Sequence, residues 1–240
     1  MKTDNNIISD DTLTVAQLAI SHPGALSVFT RYNIDYCCGG HRTLTEACHR
    51  IGLDPEKIRE EIYSQQTDSP DQSFRPERWS SSLLVDFIIQ NHHTYVKRAI
   101  PELEALLDKV CHRHGDESIE LLNIRERFLD LAEDLTSHME KEELVLFPAI
   151  KRLEANKAED NPLAITIQPP IAAMEHEHTA AGDLVKQIRV LSDNYTPPEY
   201  ACPTFRITYQ KLQEFSNDLF KHIHLENNIL FERYKHVTAL

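Results

Sequence analysis

The stretch HMEKEELVLFP, residues 138–148, decides how the chain is read. On a helix, positions four apart project from one face, so Leu131, Leu135, His138, Glu142 and Val145 form one stripe. A histidine and a glutamate therefore interrupt an apolar row. A single pair of this kind is more often a satisfied core histidine or a surface ion pair than a ligand set. The second half of the chain repeats it: HIHLENNILFE carries His222 and Glu226 at the same spacing, again followed by an apolar run and Phe231.

Around these stretches, residues 80–113, 116–155, 168–193 and 204–236 show helical periodicity. Leu83, Leu84, Phe87, Ile88, Val96 and Ile100 mark the first segment, and Leu121, Ile124, Phe128, Leu131 and Leu135 the second. No alternating strand pattern of any length is present, so the expected class is all-α, with an up-and-down four-helix bundle over residues 80–240. Before it, TVAQLAISHPGALSVFTRY, TLTEACHRIG and DPEKIREEIYSQ read as short helices separated by Pro23–Gly24, Gly39–Gly40 and Gly52. These form a small helical N-terminal domain, residues 1–66. The polar stretch 67–79, with Pro70 and Pro76, reads as a linker.

In such a bundle, histidines that meet must share one level. His93 and His178 also lie on apolar stripes, and the separations His93–His138, His138–His178 and His178–His222 are 45, 40 and 44 residues. Their midpoints, near 115, 158 and 200, fall where the sequence breaks, at RHGD, NKAEDNP and TPPEYACP. Each arm is then about 20 to 22 residues, roughly 30 Å of helix, and the four histidines share one level.

Four imidazoles and two carboxylates would otherwise be unpaired polar groups in a core. A metal resolves this. The donors suit iron, manganese or zinc, and two carboxylates on opposite hairpins can each bridge two ions. A bridged pair of non-haem irons held by His93, His138, Glu142, His178, His222 and Glu226 is the expected centre, with positions open for a diatomic ligand. His114 follows His93 by 21 residues, about 31 Å along a helix. It stays outside the set as a turn histidine unless the helix folds back at Pro101. His92, His112, His176 and His224 lie off the stripes and are assigned to a solvated face. Glu177, Glu133 and Asp134 are expected to lie beside the metals or on the surface.

The 240 residues carry 38 acidic and 25 basic side chains, a formal net charge of −13. That argues against nucleic-acid and anionic-membrane partners. No apolar run approaches the ~20 residues of a membrane span, and the polar, acidic start is unlike a secretory signal, so a cytoplasmic location is expected. The five cysteines follow no disulfide or zinc-ribbon spacing. Cys37 and Cys38 are adjacent, unlike a Cys-x-x-Cys redox pair, and the following glycines are expected to leave the thiols accessible. They are read as a docking point for iron or a thiol, against a simple structural turn. Cys48, Cys111 and Cys202 carry no motif.

His93, His138-x-x-x-Glu142, His178 and His222-x-x-x-Glu226 resemble the haemerythrin-like di-iron proteins. DYCCGG at Asp35–Gly40 resembles the amino-terminal module of the repair-of-iron-centres family. The likeness runs through VAQLAI, NIDYCCGGHRTL, SHMEKEELVLFP, MEHEHTAAG, TPPEYAC and HLENNILF. It implies a cytoplasmic stress protein, assembling as a homodimer, whose di-iron centre serves recovery of iron–sulfur clusters damaged by nitric oxide or peroxide. Its partners would be damaged or apo iron–sulfur proteins, with nitric oxide or oxygen as small ligand. Oxygen-carrying haemerythrins place five histidines on their irons, and only four level here, which points away from simple oxygen carriage. Donation of iron is the first functional reading. Reduction or scavenging of nitric oxide at the irons is the enzymatic alternative, although no sequence feature supplies an electron route. Sensing of oxygen or nitric oxide ranks last, because no output domain is recognised.

Overall fold

The computed structural model describes residues 12–22, 24–64, 74–155 and 167–235. The expectations for the N-terminal eleven residues, Pro23, the linker residues 67–73 and the turn at 156–162 lie outside them. The chain divides into two compact units, Met1–Arg78 and Trp79–Leu240. Both are helical. Among the described residues there is no strand, only one antiparallel bridge between Thr14 and Thr43.

The first unit contains four short helices, α1 (Val15–Ser21), α2 (Ala25–Tyr32), α3 (Leu44–Arg50) and α4 (Pro55–Ser64). Two starts are set by capping boxes. Thr14 accepts from the amide of Gln17 while the Gln17 side chain accepts from the amide of Thr14, and Thr43 and Glu46 repeat the arrangement. Val15, Leu18, Val28, Phe29, Leu44, Ile58 and Ile62 form its core. The loop carrying the paired cysteines is held against α1, where the amides of Val15 and Ala16 donate to the carbonyls of Arg42 and Gly40. Gly40 is required there, because a Cβ would stand 2.7 Å from the Tyr36 carbonyl oxygen and 2.9 Å from the Ala16 Cβ.

The second unit is the expected bundle of four long helices. The first runs from Ser81 to His114, the second from Ile119 to Ala155, the third over Gln168–Leu191, and the fourth from Pro203 to Leu230. The first packs on the second and fourth, and the second on the third. Helix starts follow local chemistry. Ser80 accepts from the Leu83 amide, and prolines occupy the opening turns of the third and fourth helices, where an amide would have no helical partner. Pro101 sits within the unbroken helix Thr94–His114, so the chain does not fold back there. His114 ends that helix, buried against Tyr200 and Phe205.

Three of the four helices are interrupted by π-helical turns, Ile88–His93, Glu142–Leu146 and Glu226–Leu230. A π turn holds more residues than an α turn, which shifts the inward stripe. The inward position after Glu142 is therefore Leu146, 2% exposed, while Val145 is 61% exposed. This corrects the expected stripe. Leu83 is likewise exposed, whereas Leu84 and Val85 enter the core.

Candidate metal centre

His93, His138, Glu142, His178, His222 and Glu226 meet inside the bundle, all buried. Their donor atoms fall into two groups, His93 with His222 and His138 with His178, each sharing Glu142 and Glu226. The Nε2 atoms of His93 and His222 stand 3.1 Å apart, and those of His138 and His178 stand 2.9 Å apart. Two imidazole nitrogens each ~2.1 Å from one divalent ion, at right angles, would stand ~3.0 Å apart.

The carboxylates face both groups. Glu142 presents Oε2 to His93 at 3.4 Å and Oε1 to His138 at 3.3 Å. Glu226 presents Oε1 to His222 at 2.9 Å and to His93 at 3.8 Å, and Oε2 to His178 at 3.2 Å. Both oxygens of Glu142 and the Oε2 of Glu226 are buried without a hydrogen-bond donor. Leaving a buried carboxylate so placed costs several kcal/mol, and cations between the imidazole pairs would remove that penalty. The residues present therefore fit two bridged metal ions.

Electrostatics point the same way. Burial opposes the charge on His93, yet Glu142 and Glu226 outweigh it and push its pKa up to about 10. The same contest raises His138 to about 9, with Glu142 the main partner. For His222, burial wins and the value falls below the usual range. Two carboxylates in the core thus draw positive charge into the site.

Behind the buried histidines lies a second set of contacts. Nδ1 of His93 pairs with Oε1 of Glu143 at 2.7 Å, and Lys97 holds that carboxylate from outside. Nδ1 of His138 pairs with Glu177 at 2.9 Å, itself held by Lys141. Nδ1 of His178 pairs with Oδ1 of Asn227 at 2.7 Å. Such partners fix the ring so that Nε2 faces a metal. Glu177 lies beside the centre as expected, but Glu143, Asn227, Lys97 and Lys141 were missed. The signal was present for two of them, since Glu143 directly follows Glu142 and Asn227 directly follows Glu226.

His92 and His224 are buried rather than solvated, correcting the expectation, while His112 and His176 are exposed. His92 pairs with Asp218 at 3.0 Å, and His224 Nδ1 accepts from the Asn228 side chain. A cleft of about 260 Å³ reaches His138, lined by Asp134, Ser137, Lys141, His176 and Glu177. Glu133 is not part of its wall and is exposed.

In the first unit, Asp35 Oδ1 accepts from the amides of Cys38 and Gly39 and from the Cys37 thiol. The two sulfurs are 3.7 Å apart, and donor atoms of Asp35, Cys37 and Cys38 all lie within 4.8 Å of one another. Cys38 is partly exposed, but Cys37 is buried, so the expected accessibility applies to one thiol only. Burial also pushes the Cys37 thiol well above the usual range.

No helix among the described residues is long and apolar enough to cross a membrane. The model of the haemerythrin HHE cation-binding domain matches residues 85–234, and that of ScdA_N, a domain of unknown function, matches residues 11–66. The chain is 36% identical over 220 residues to the iron–sulfur cluster repair protein YtfE of Yersinia pseudotuberculosis (strain IP 31758), spanning 92% of this chain and 95% of that protein. The same figures hold for YtfE of Yersinia pestis (strain Angola). A buried His/Glu centre in a four-helix bundle, an ScdA_N match before it and likeness along nearly the whole length agree, and the chain belongs to the haemerythrin HHE family of YtfE-type proteins.

Proposed function

We propose that this chain is a di-iron protein that repairs iron–sulfur clusters damaged by nitrosative or oxidative stress, and that it does so by supplying iron. The observation that carries the reading is the division of Glu142 and Glu226 between two imidazole pairs. The name of the YtfE relatives, iron–sulfur cluster repair protein, supplies the task. Bound there, two iron ions would bring redox and Lewis-acid chemistry to the bundle core. His93 and His222 would hold one ion, His138 and His178 the other, and Glu142 and Glu226 would join them.

Carboxylate and imidazole ligands suit a carrier that must let go. Each binds metal only when deprotonated, so proton uptake by the histidines and glutamates competes directly with iron. The cleft beside His138 offers a small molecule such as nitric oxide or oxygen a way to the centre. The reading assigns residues 1–66 to docking, 67–79 to a linker and 80–240 to iron carriage, in a cytoplasmic homodimer whose clients are damaged or apo iron–sulfur proteins. Cys37 and Cys38, with Asp35 beside them, are the proposed docking point for iron or a client thiol. Unchanged repair by the Cys37→Ser, Cys38→Ser double variant would remove that role.

The main test loads the protein with isotope-labelled iron and follows the label, without oxygen, into an iron–sulfur enzyme damaged by nitric oxide. Label in the recovered cluster is the expected result. Recovery without label would replace donation by removal of nitric oxide with iron retained.

A further inference from the structure

The metal centre has an approximate twofold relation written into the chain. The first and second helices correspond to the third and fourth, so His93 matches His178, His138 matches His222, and Glu142 matches Glu226. The correspondence extends outward. Glu143 backs His93 as Asn227 backs His178, and Phe147 stacks on His93 as Phe231 stacks on His178, at 5.7 and 6.1 Å between centroids.

It fails at one place. Glu177, just before His178, backs His138. The matching residue just before His93 is His92, which ought to back His222. Instead the His92 ring lies flat against His222, centroids 5.5 Å apart and planes 8° from parallel, with its Nδ1 turned to Asp218. Nδ1 of His222 is left buried with no hydrogen-bond partner.

That orphan matters when metal binds. In the chain without metal, Nε2 of His222 can keep the ring proton and donate it to Glu226, 2.9 Å away. Ligation through Nε2 moves the proton of the neutral ring to Nδ1. For His93, His138 and His178 an acceptor waits there; for His222 the donor is stranded in the core.

We infer that the two metal positions are unequal, and that the ion between His93 and His222 is the weaker one and leaves first. Because both positions share Glu142 and Glu226, the difference lies in the groups behind the imidazoles. The position between His138 and His178 has two such partners, Glu177 and Asn227, and the other has one, Glu143. Loss of such a partner weakens metal binding roughly 10- to 100-fold. The inference rests on the reading that these six residues hold two ions, and it names the ion a donor would give up.

The test uses the full chain loaded anaerobically with ferrous iron and challenged with excess chromogenic ferrous chelator. Two equal phases are expected, separated by at least about tenfold in rate. Asn227→Ala should hasten only the late ion, by about tenfold or more, and Asn227→Asp should restore its slow release. His92→Glu, made with Asp218→Asn so that the new carboxylate does not face another, should slow the early ion toward the late one. If Asn227→Ala hastens the early ion instead, or if both ions leave together in the unaltered chain and in the His92→Glu variant, the ordering is overturned. Uptake of fewer than two ions per chain overturns the ligand set beneath it.

Discussion

Glu143 reaches across the bundle to His93, its Oε1 2.7 Å from the Nδ1 that faces away from the centre. This contact holds the imidazole with Nε2 aimed inward, and Lys97 holds the carboxylate in turn. Glu143→Ala should lower ferrous affinity roughly 10- to 100-fold, measured by competition with a chelator of known strength, with the far-ultraviolet spectrum unchanged. Lys97 is half exposed, and exposed ion pairs contribute only about 0–1 kcal/mol. Lys97→Ala should therefore weaken binding by less than about fivefold. Equal losses from both substitutions would show that charge around the site, rather than ring orientation, governs affinity.

Metal and stability should be linked in the bundle. Glu142 and Glu226 are fully buried, and both oxygens of Glu142 and the Oε2 of Glu226 find no donor within the protein. Free ferrous iron a hundredfold above the dissociation constant of a position adds about 2.7 kcal/mol for each ion bound, by mass action, or roughly 5–10 °C of melting temperature per ion for a unit of this size. Removing iron with a chelator should reverse that shift. In Glu226→Ala, which takes a donor from both positions, adding iron should raise the melting temperature by less than about 2 °C. A full shift in that variant would place iron elsewhere.

The shared level of the four histidines is legible in the sequence because loop positions and histidine spacing have to agree, and they do so for all four. Less legible was anything that depends on helix phase near the π turns. Ordinary helical spacing places Val145 inward, but the extra residue in the Glu142–Leu146 turn gives that position to Leu146. His92 misled for a related reason. It precedes His93, which places it off the stripe, but the neighbouring helix covers it and supplies Asp218. Asn227 and Glu143 could have been found by carrying the repeat one residue past each glutamate. Burial of Cys37 could not, because it depends on how the loop closes over Asp35.

The paired cysteines should react very differently. Cys37 is buried and its thiol is pushed well above the usual range, chiefly by burial, whereas Cys38 beside it is partly exposed. Alkylation requires both access and thiolate. Brief treatment with iodoacetamide at neutral pH should label Cys38 at least about tenfold faster than Cys37, read by peptide mass spectrometry. Equal rates would mean that the loop opens faster than it is alkylated.

The start of the first long helix is tied to the end of the second. Glu154 accepts from the amides of Ser81 and Ser82 and from the Ser82 hydroxyl, tying the two helices of one hairpin together. Burial tends to raise its pKa, but the bonds from Ser82 and Ser81 outweigh this and hold it below the usual carboxylate range. A carboxyl lowered in the folded state stabilises the fold above its unfolded value, ~4.3, and loses that contribution as pH falls through the folded value. Glu154→Ala should cost about 1 kcal/mol near neutral pH, the usual size of a lost helix cap. The melting temperatures of the two proteins should differ by roughly 2–4 °C at pH 7 and converge below pH ~4. A gap that persists undiminished at pH 3 would assign the loss to packing of the Glu154 stem rather than to its charge.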